Sequence, residues 1–219
     1  MIPLASVTMS GRTPDGSYPN QWPVRPDIVT LAKGITSAYI PLAATVVTED
    51  IFAAFPAAGG DLGRLRHINT FGGHPAGCAV ALENIAIMEE EGLVERSAEM
   101  GERLLVRLRE ALQGHPLVGD VRGRGLLIGI ELVADKATRA PASLGTSTAM
   151  VAAAQRRGLL VGRNADTAAG LDNVLAVAPP LSLTDEDADH IVEALAGAFA
   201  DTDAPAPPDE AAGAKGESA

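Results

Sequence analysis

Cysteine is almost missing from this 219-residue chain, which has only Cys78. No intrachain disulfide and no cysteine zinc cluster can form, and a reducing compartment is expected. Aromatic residues make up 3% of the sequence, too few for the stacking platforms that hold single-stranded nucleic acid. Positive charge is scarce as well: Lys and Arg total 17 against 28 Asp and Glu, a formal net charge of −11. Binding to phosphate backbones or anionic lipid needs a positive face, so neither nucleic acid nor membrane is an expected partner. No apolar run approaches the roughly 18 residues of a spanning helix. The start MIPLASVTMS lacks the basic-then-apolar pattern of a signal peptide, so the expected location is cytoplasmic. Apolar residues, by contrast, are plentiful. The chain is 47% hydrophobic and 21% charged, enough to bury a core.

Residues 1–25 are punctuated by Pro14, Gly16, Pro19 and Pro23 too densely for a helix or a central strand. The short β-branched run from Ile28 to Ala32 reads as a buried strand. A second apolar run covers Leu42 to Val47, and Thr48 is placed to cap a short helix from Glu49 to Phe55. Pro56 to Gly63 reads as a loop. Pro75 opens a helix whose expected apolar face carries Ala79, Leu82, Ile85 and Ala86. A second helix is expected over Leu93 to Leu112, with Leu104, Leu105, Leu108, Ala111 and Leu112 as its stripe. Strands are expected at Leu126 to Val133, Leu159 to Val161 and Val174 to Ala178, with an alanine-rich helix from Thr146 to Arg157. Thr184, with Asp187 three residues on, reads as a capping box before a helix whose core face holds Ile191, Val192, Leu195 and Phe199. From Asp201 the sequence DTDAPAPPDE has the composition of a disordered tail.

Two places could carry chemistry. Lys33 follows the apolar run directly and precedes Gly34. A lysine at the end of a buried strand loses solvation and becomes a free amine nucleophile, able to form a Schiff base with a carbonyl. The alternative is an ordinary solvent-facing lysine. Thr70 to Gly77, TFGGHPAG, combines a hydroxyl, glycines and a helix start. Backbone N–H groups and the helix dipole there suit a phosphate, whereas the plainer reading is a tight loop-to-helix entry. His74 reads as a general base or as a packing or capping residue.

The runs PDIVTLAKGITSAYIPLAATVV, HINTFGGHPAGCAVALENI, GDVRGRGLLIGIELV and NVLAVAPPLSLTDEDAD, in that order, resemble the second half of a class III (omega) aminotransferase. The resemblance runs from Gly11 to Phe199 and is nearest to members that use pyruvate, such as taurine:pyruvate aminotransferases. It implies an α/β chain: a partial type I (aspartate-aminotransferase-like) large domain followed by a small α+β C-terminal domain. The implied division is 1–75 as the remnant of the cofactor-binding domain, 76–115 as connecting helices, 116–200 as the small domain and 201–219 as the tail. The implied cofactor is pyridoxal 5'-phosphate, anchored by Lys33, with Thr70 reaching the cofactor phosphate of the other subunit of a dimer. The implied substrates are an amino donor and a keto acid acceptor, pyruvate. Many members carry a carboxylate-binding arginine three residues before the paired prolines, where this chain has Ala176. Arg163 matches the mobile arginine of the omega subgroup and is the expected substrate-binding residue. Its plain reading is a surface arginine beside Asn164 and Asp166. No metal is expected.

The sequence departs from the family pattern. A family chain is roughly twice this long, and the glycine-rich phosphate cup, the ring-stacking aromatic and much of the large-domain sheet belong to its first half. The family's Asp-Glu pair, whose aspartate keeps the pyridine nitrogen protonated, falls on Leu4 and Ala5. Loss of such a charge-assisted hydrogen bond costs roughly 1.5–3 kcal/mol. The expectation is therefore a truncated chain, inactive alone, with an unpaired sheet edge and poor solubility. The alternative is a non-catalytic remnant, or a dimerisation partner of a full-length aminotransferase paralogue. Aminomutases and decarboxylases on the same cofactor are a third reading within the fold.

Overall fold

A computed structural model describes residues 27–55, 70–164 and 171–202. The readings for residues 1–25, the Pro56 to Gly63 loop and the tail beyond Thr202 lie outside the described residues, as do Leu4 and Ala5. The chain is mixed α/β and divides into two units, Met1–Glu95 and Arg96–Ala219.

In the first unit, β1 (Ile28–Leu31) pairs antiparallel with β2 (Ala44–Val47) in a ribbon of two strands. Between them Lys33–Thr36 form a 3-10 turn. The ribbon is followed by α1 (Glu49–Ala53), whose N-cap Thr48 makes no side-chain capping bond. The expectation of a buried strand before Lys33 is corrected here. Every residue of β1 is exposed or half-buried, and Ile28 is 55% exposed. β-branched residues bury themselves only when sheet neighbours or a second layer cover them, and this ribbon has one partner strand.

Helix α2 (Pro75–Glu90) begins at the proline as expected. Its buried side is not the anticipated one: Ala79 and Leu82 are exposed, while Gly77, Ala81 and Met88 are buried. The helix is apolar nearly all round, so the sequence pattern left its orientation open.

The second unit is better packed. Helix α3 (Leu93–Leu112), which begins just before the unit boundary, buries Leu104, Leu105, Leu108 and Leu112 as expected but leaves Ala111 exposed. The sheet follows the order β3 (Val118–Arg124), β4 (Leu127–Asp135), β7 (Val174–Val177), β6 (Gly162–Arg163), with β5 (Ala140–Pro141) beside β4. All its pairings are antiparallel. Strand β3 has no counterpart in the sequence reading, which assigned no element between Gly114 and Leu126. The expected strand at Leu159 to Val161 is displaced to Gly162–Arg163, and Leu160 stands 84% exposed. Helix α4 (Leu144–Arg156) starts at the Ser143 cap, and α5 (Asp185–Ala200) carries the expected capping box. There Thr184 Oγ1 donates to Asp187 Oδ2 at 2.6 Å, while Asp187 N donates back to Thr184 Oγ1 at 3.1 Å. These bonds hold the Asp187 carboxyl below the usual carboxylate range.

The core is formed by Leu104 and Leu108 of α3, Ile128 and Ile130 of β4, Met150 of α4 and Leu195 of α5, all fully buried. Two backbones meet closely here: a Cβ at Gly101 would run into the carbonyl of Gly125. Among the described residues no helix is long and apolar enough to cross a membrane.

Candidate active site

Lys33 begins the 3-10 turn at the end of β1. The turn closes on itself through Ile35 N to Ala32 O and Ala38 N to Lys33 O, both 3.0 Å. It then bends through Ser37 (φ 51°) and Ala38 (φ 63°), two consecutive non-glycine residues in the left-handed region. Each such residue costs roughly 1–2 kcal/mol, so the surroundings must over-determine the conformation. They do so through the buried Thr36, whose hydroxyl donates to Ile40 O at 2.6 Å. A second tie comes from α2, where Asn84 Nδ2 donates to Gly34 O at 3.0 Å and Ile35 O at 3.3 Å.

The second chemical segment, Thr70 to Gly73, turns into α2. Gly73 has φ 67°, which suits a residue without Cβ. His74 is the N-cap of the helix, and its Nδ1 accepts from Ala76 N at 3.2 Å. The structure thus favours the capping reading of His74 over that of general base, since an acceptor nitrogen engaged with the backbone is not free to take a substrate proton.

These two segments line one cavity of about 930 Å³, with Lys33 and Thr70 among its walls alongside Ile40, Pro41, Leu42 and Phe71. Its size lies within the range of small-molecule and cofactor sites. The desolvation expected at Lys33 is not seen: Lys33 and Thr70 are both exposed, and Phe71 is 81% exposed. The weakly buried ribbon that carries the lysine does not exclude water from it.

A phosphorylated pyridine carbonyl fits this lining in part. The primary amine, the Thr70 hydroxyl and the turn before α2 supply an anchor and a polar end, and the apolar wall suits a ring. No acidic side chain lines the cavity, so nothing described here holds a ring nitrogen protonated.

Arg163 lies in the second unit, on β6. Its Nε pairs with Asp172 Oδ2 at 2.9 Å, and its Nη1 donates to Thr148 Oγ1 at 2.6 Å. Thr148 in turn donates to Leu144 O at 2.8 Å. The guanidinium is therefore half-buried and held on two sides, and its partner is Asp172 instead of the neighbours Asn164 and Asp166 considered from sequence. Asp172 Oδ1 is buried without a hydrogen-bond partner among the described residues. Asn84 was overlooked from sequence. It sits on the stripe 77, 81, 84, 88, whose other three members are buried, and an amide on such a stripe is the signal that could have found it.

Comparison with known proteins agrees with the motifs. Residues 8–199 match the aminotransferase class-III family. The uncharacterized aminotransferase YhxA of Bacillus subtilis is 52% identical over 189 residues, covering 86% of this chain and 42% of that protein. The taurine–pyruvate aminotransferase of Bilophila wadsworthia is 44% identical over 177 residues, covering 80% and 39%. Among solved structures, a Bacillus anthracis aminotransferase superposes with a TM-score of 0.78 at 50% identity, covering 82% of this chain and 40% of that one. A PLP-bound amine transaminase from an uncultivated Pseudomonas species gives a TM-score of 0.73 at 39% identity, covering 81% and 39%. The chain thus spans about two fifths of the length of these relatives. A match over most of the chain, carried by the lysine strand, the threonine turn and the antiparallel sheet alike, is that of kinship, and this protein belongs to the class III aminotransferases, a pyridoxal-phosphate-dependent family.

Proposed function

We propose that this chain is the lysine-bearing portion of a pyridoxal-phosphate-dependent transaminase that moves an amino group from an amine or omega-amino acid to a keto acid. The observation that carries this reading is the shared cavity of Lys33 and Thr70. The taurine–pyruvate relatives favour pyruvate as acceptor. In this reading Lys33 Nζ anchors the cofactor covalently and, once released, carries a proton to and from the substrate carbon. Thr70 and the turn before α2 hold the phosphate, in the type I arrangement across a dimer interface. The cofactor, when bound, supplies the electron sink for the carbanion formed on the substrate. Arg163 grips the substrate carboxylate, which must then compete with Asp172 for the guanidinium. Residues 1–75 are part of a type I large domain, residues 76–115 its connecting helices, residues 116–200 the small domain and residues 201–219 the tail. Further polypeptide of the kind found in the remaining three fifths of the relatives closes the cavity, so the chain alone is inactive. The cytoplasm suits an exposed lone thiol, Cys78.

The test is a spectral titration with pyridoxal phosphate, followed by borohydride reduction and peptide mapping. The expected result is an absorbance band of a protonated imine and label on Lys33, both lost in Lys33→Ala. Identical spectra for the two proteins would overturn the reading.

One observation favours a second reading. Among the described residues no acidic side chain lines the cavity, and in this reading the chain is a non-catalytic partner of a full-length aminotransferase. In that case Lys33→Ala leaves association with such an enzyme, and the activity of the complex, unchanged.

A further inference from the structure

We propose that Asn84 is the positioning residue for Lys33: from the face of α2 it pins the strained turn that aims the lysine into its cavity. The inference rests on the reading of Lys33 as the cofactor anchor and adds the residue that directs it.

Three observations carry it. First, Asn84 is 50 positions away from Gly34 in sequence, yet its Nδ2 donates to Gly34 O at 3.0 Å and to Ile35 O at 3.3 Å. These are the two carbonyls immediately after Lys33. Two facing acceptors require the nitrogen end of the amide, so only a donor serves at this position. Second, the turn is strained, so its own hydrogen bonds work against an unfavourable backbone. Ser37 and Ala38 both have positive φ, and the segment is closed by single i to i+3 or i to i+5 bonds. Lys33 belongs to that hydrogen-bonded loop through its own carbonyl, which accepts from Ala38 N at 3.0 Å. Third, the neighbours of Asn84 on its stripe face the same segment. A Cβ on Gly77 would lie 3.6 Å from Leu42 Cδ1 and 4.0 Å from Ile40 Cγ2, both on residues that line the cavity. Helix α2 is therefore the floor on which the turn and the cavity wall rest. In that floor Asn84 is the polar contact to the backbone beside the lysine. Lys33 itself is exposed. Its aim comes from the backbone, and the backbone is held from α2.

The experiment compares the full chain with Asn84→Leu, which keeps the bulk and removes the donor, and Asn84→Asp, which keeps the shape and turns an acceptor toward two carbonyls. Leu104→Ala, in the second unit, serves as a destabilised control. Two quantities are read. One is amide hydrogen exchange at Ala38 and Tyr39, the donors that close the turn. The other is labelling of Lys33 by pyridoxal phosphate and borohydride, relative to Lys136 and Lys215, the other two lysines of the chain. Both Asn84 variants are expected to speed exchange at Ala38 and Tyr39 at least ten-fold and to lower the Lys33 labelling ratio at least five-fold. The Leu104→Ala control should leave both unchanged. Unaltered exchange in either Asn84 variant overturns the proposal. Loss of native circular dichroism in both variants also overturns it, because Asn84 is then a general structural residue. The two readings fail separately: no preference for Lys33 in the parent chain sinks the cofactor-anchor function, whereas the pin is judged by the exchange rates alone.

Discussion

The two units of this chain treat their apolar side chains in opposite ways. The largest fully buried side chains, from Leu104 to Phe199, all belong to the second unit. Of the thirteen large hydrophobic residues that stand exposed among the described residues, nine, including Ile28, Tyr39, Val46, Phe52 and Phe71, belong to the first. The second unit has a sheet wide enough to bury one face under helices. The first has two strands and one long helix among its described residues. The difference teaches that the chemistry-bearing residues Lys33 and Thr70 sit on the part of the chain that covers itself least, while the self-sufficient part carries an arginine already satisfied by Asp172.

The sharpest way to break that comparison is a matched pair of truncations. Ile130→Ala, at a fully buried site of β4, is expected to cost about 2–5 kcal/mol in denaturant unfolding. Ile28→Ala on the exposed ribbon should change stability by less than about 0.5 kcal/mol. Equal costs would mean that the ribbon is covered in solution. Next in size is Gly101→Ala. The new methyl meets the backbone of Gly125, which cannot rotate away as a side chain would, so a loss of about 1–3 kcal/mol is expected. A neutral result would show the second unit to be looser than its burial implies.

A smaller effect is expected at the α5 cap. Thr184→Ala should cost about 1 kcal/mol near neutral pH. The bonded Thr184 keeps the Asp187 carboxyl below its ordinary value of 3.8, so the cap stabilises the fold above that value. The contribution is lost as pH falls through the lowered folded value. The wild-type melting temperature should therefore fall more steeply below about pH 4 than that of Thr184→Ala, and parallel pH profiles would remove this role. The smallest change in stability, with the clearest change in behaviour, is expected from Val46→Lys. Charge on the half-exposed β2 should leave unfolding nearly unchanged while lowering self-association measured by light scattering. No change in scattering would show that the ribbon is not the sticky surface.

How much was legible in the sequence follows the same division. Helix α3 was readable because its leucines repeat at helical spacing, and α5 because Thr184 with Asp187 marks a start and Ile191, Leu195 and Phe199 follow at helical spacing. Lys33 and Thr70 were legible as motifs, and the structure brings them to one cavity. The orientation of α2 was not legible, because a helix apolar on every side carries no phase, and Asn84 went unnoticed with it. Strand β3 hid behind its glycines and its charges, of which Asp120, Arg122 and Arg124 are exposed at an antiparallel edge. Arg163 was visible as a cation but not as one half of an ion pair, since Asp172 lies nine positions further along the chain. The burial of β1 was overestimated because local β-branched composition says nothing about how many strands will lie beside it.

Among the described residues no third strand lies beside the β1–β2 ribbon, and this has a thermodynamic consequence. Any segment that hydrogen-bonds along the ribbon's border adds its association free energy to the lysine turn, which is continuous with β1. The rigidity of the turn that carries the Lys33 amine then becomes a titratable quantity, set by the concentration and affinity of the strand that docks there.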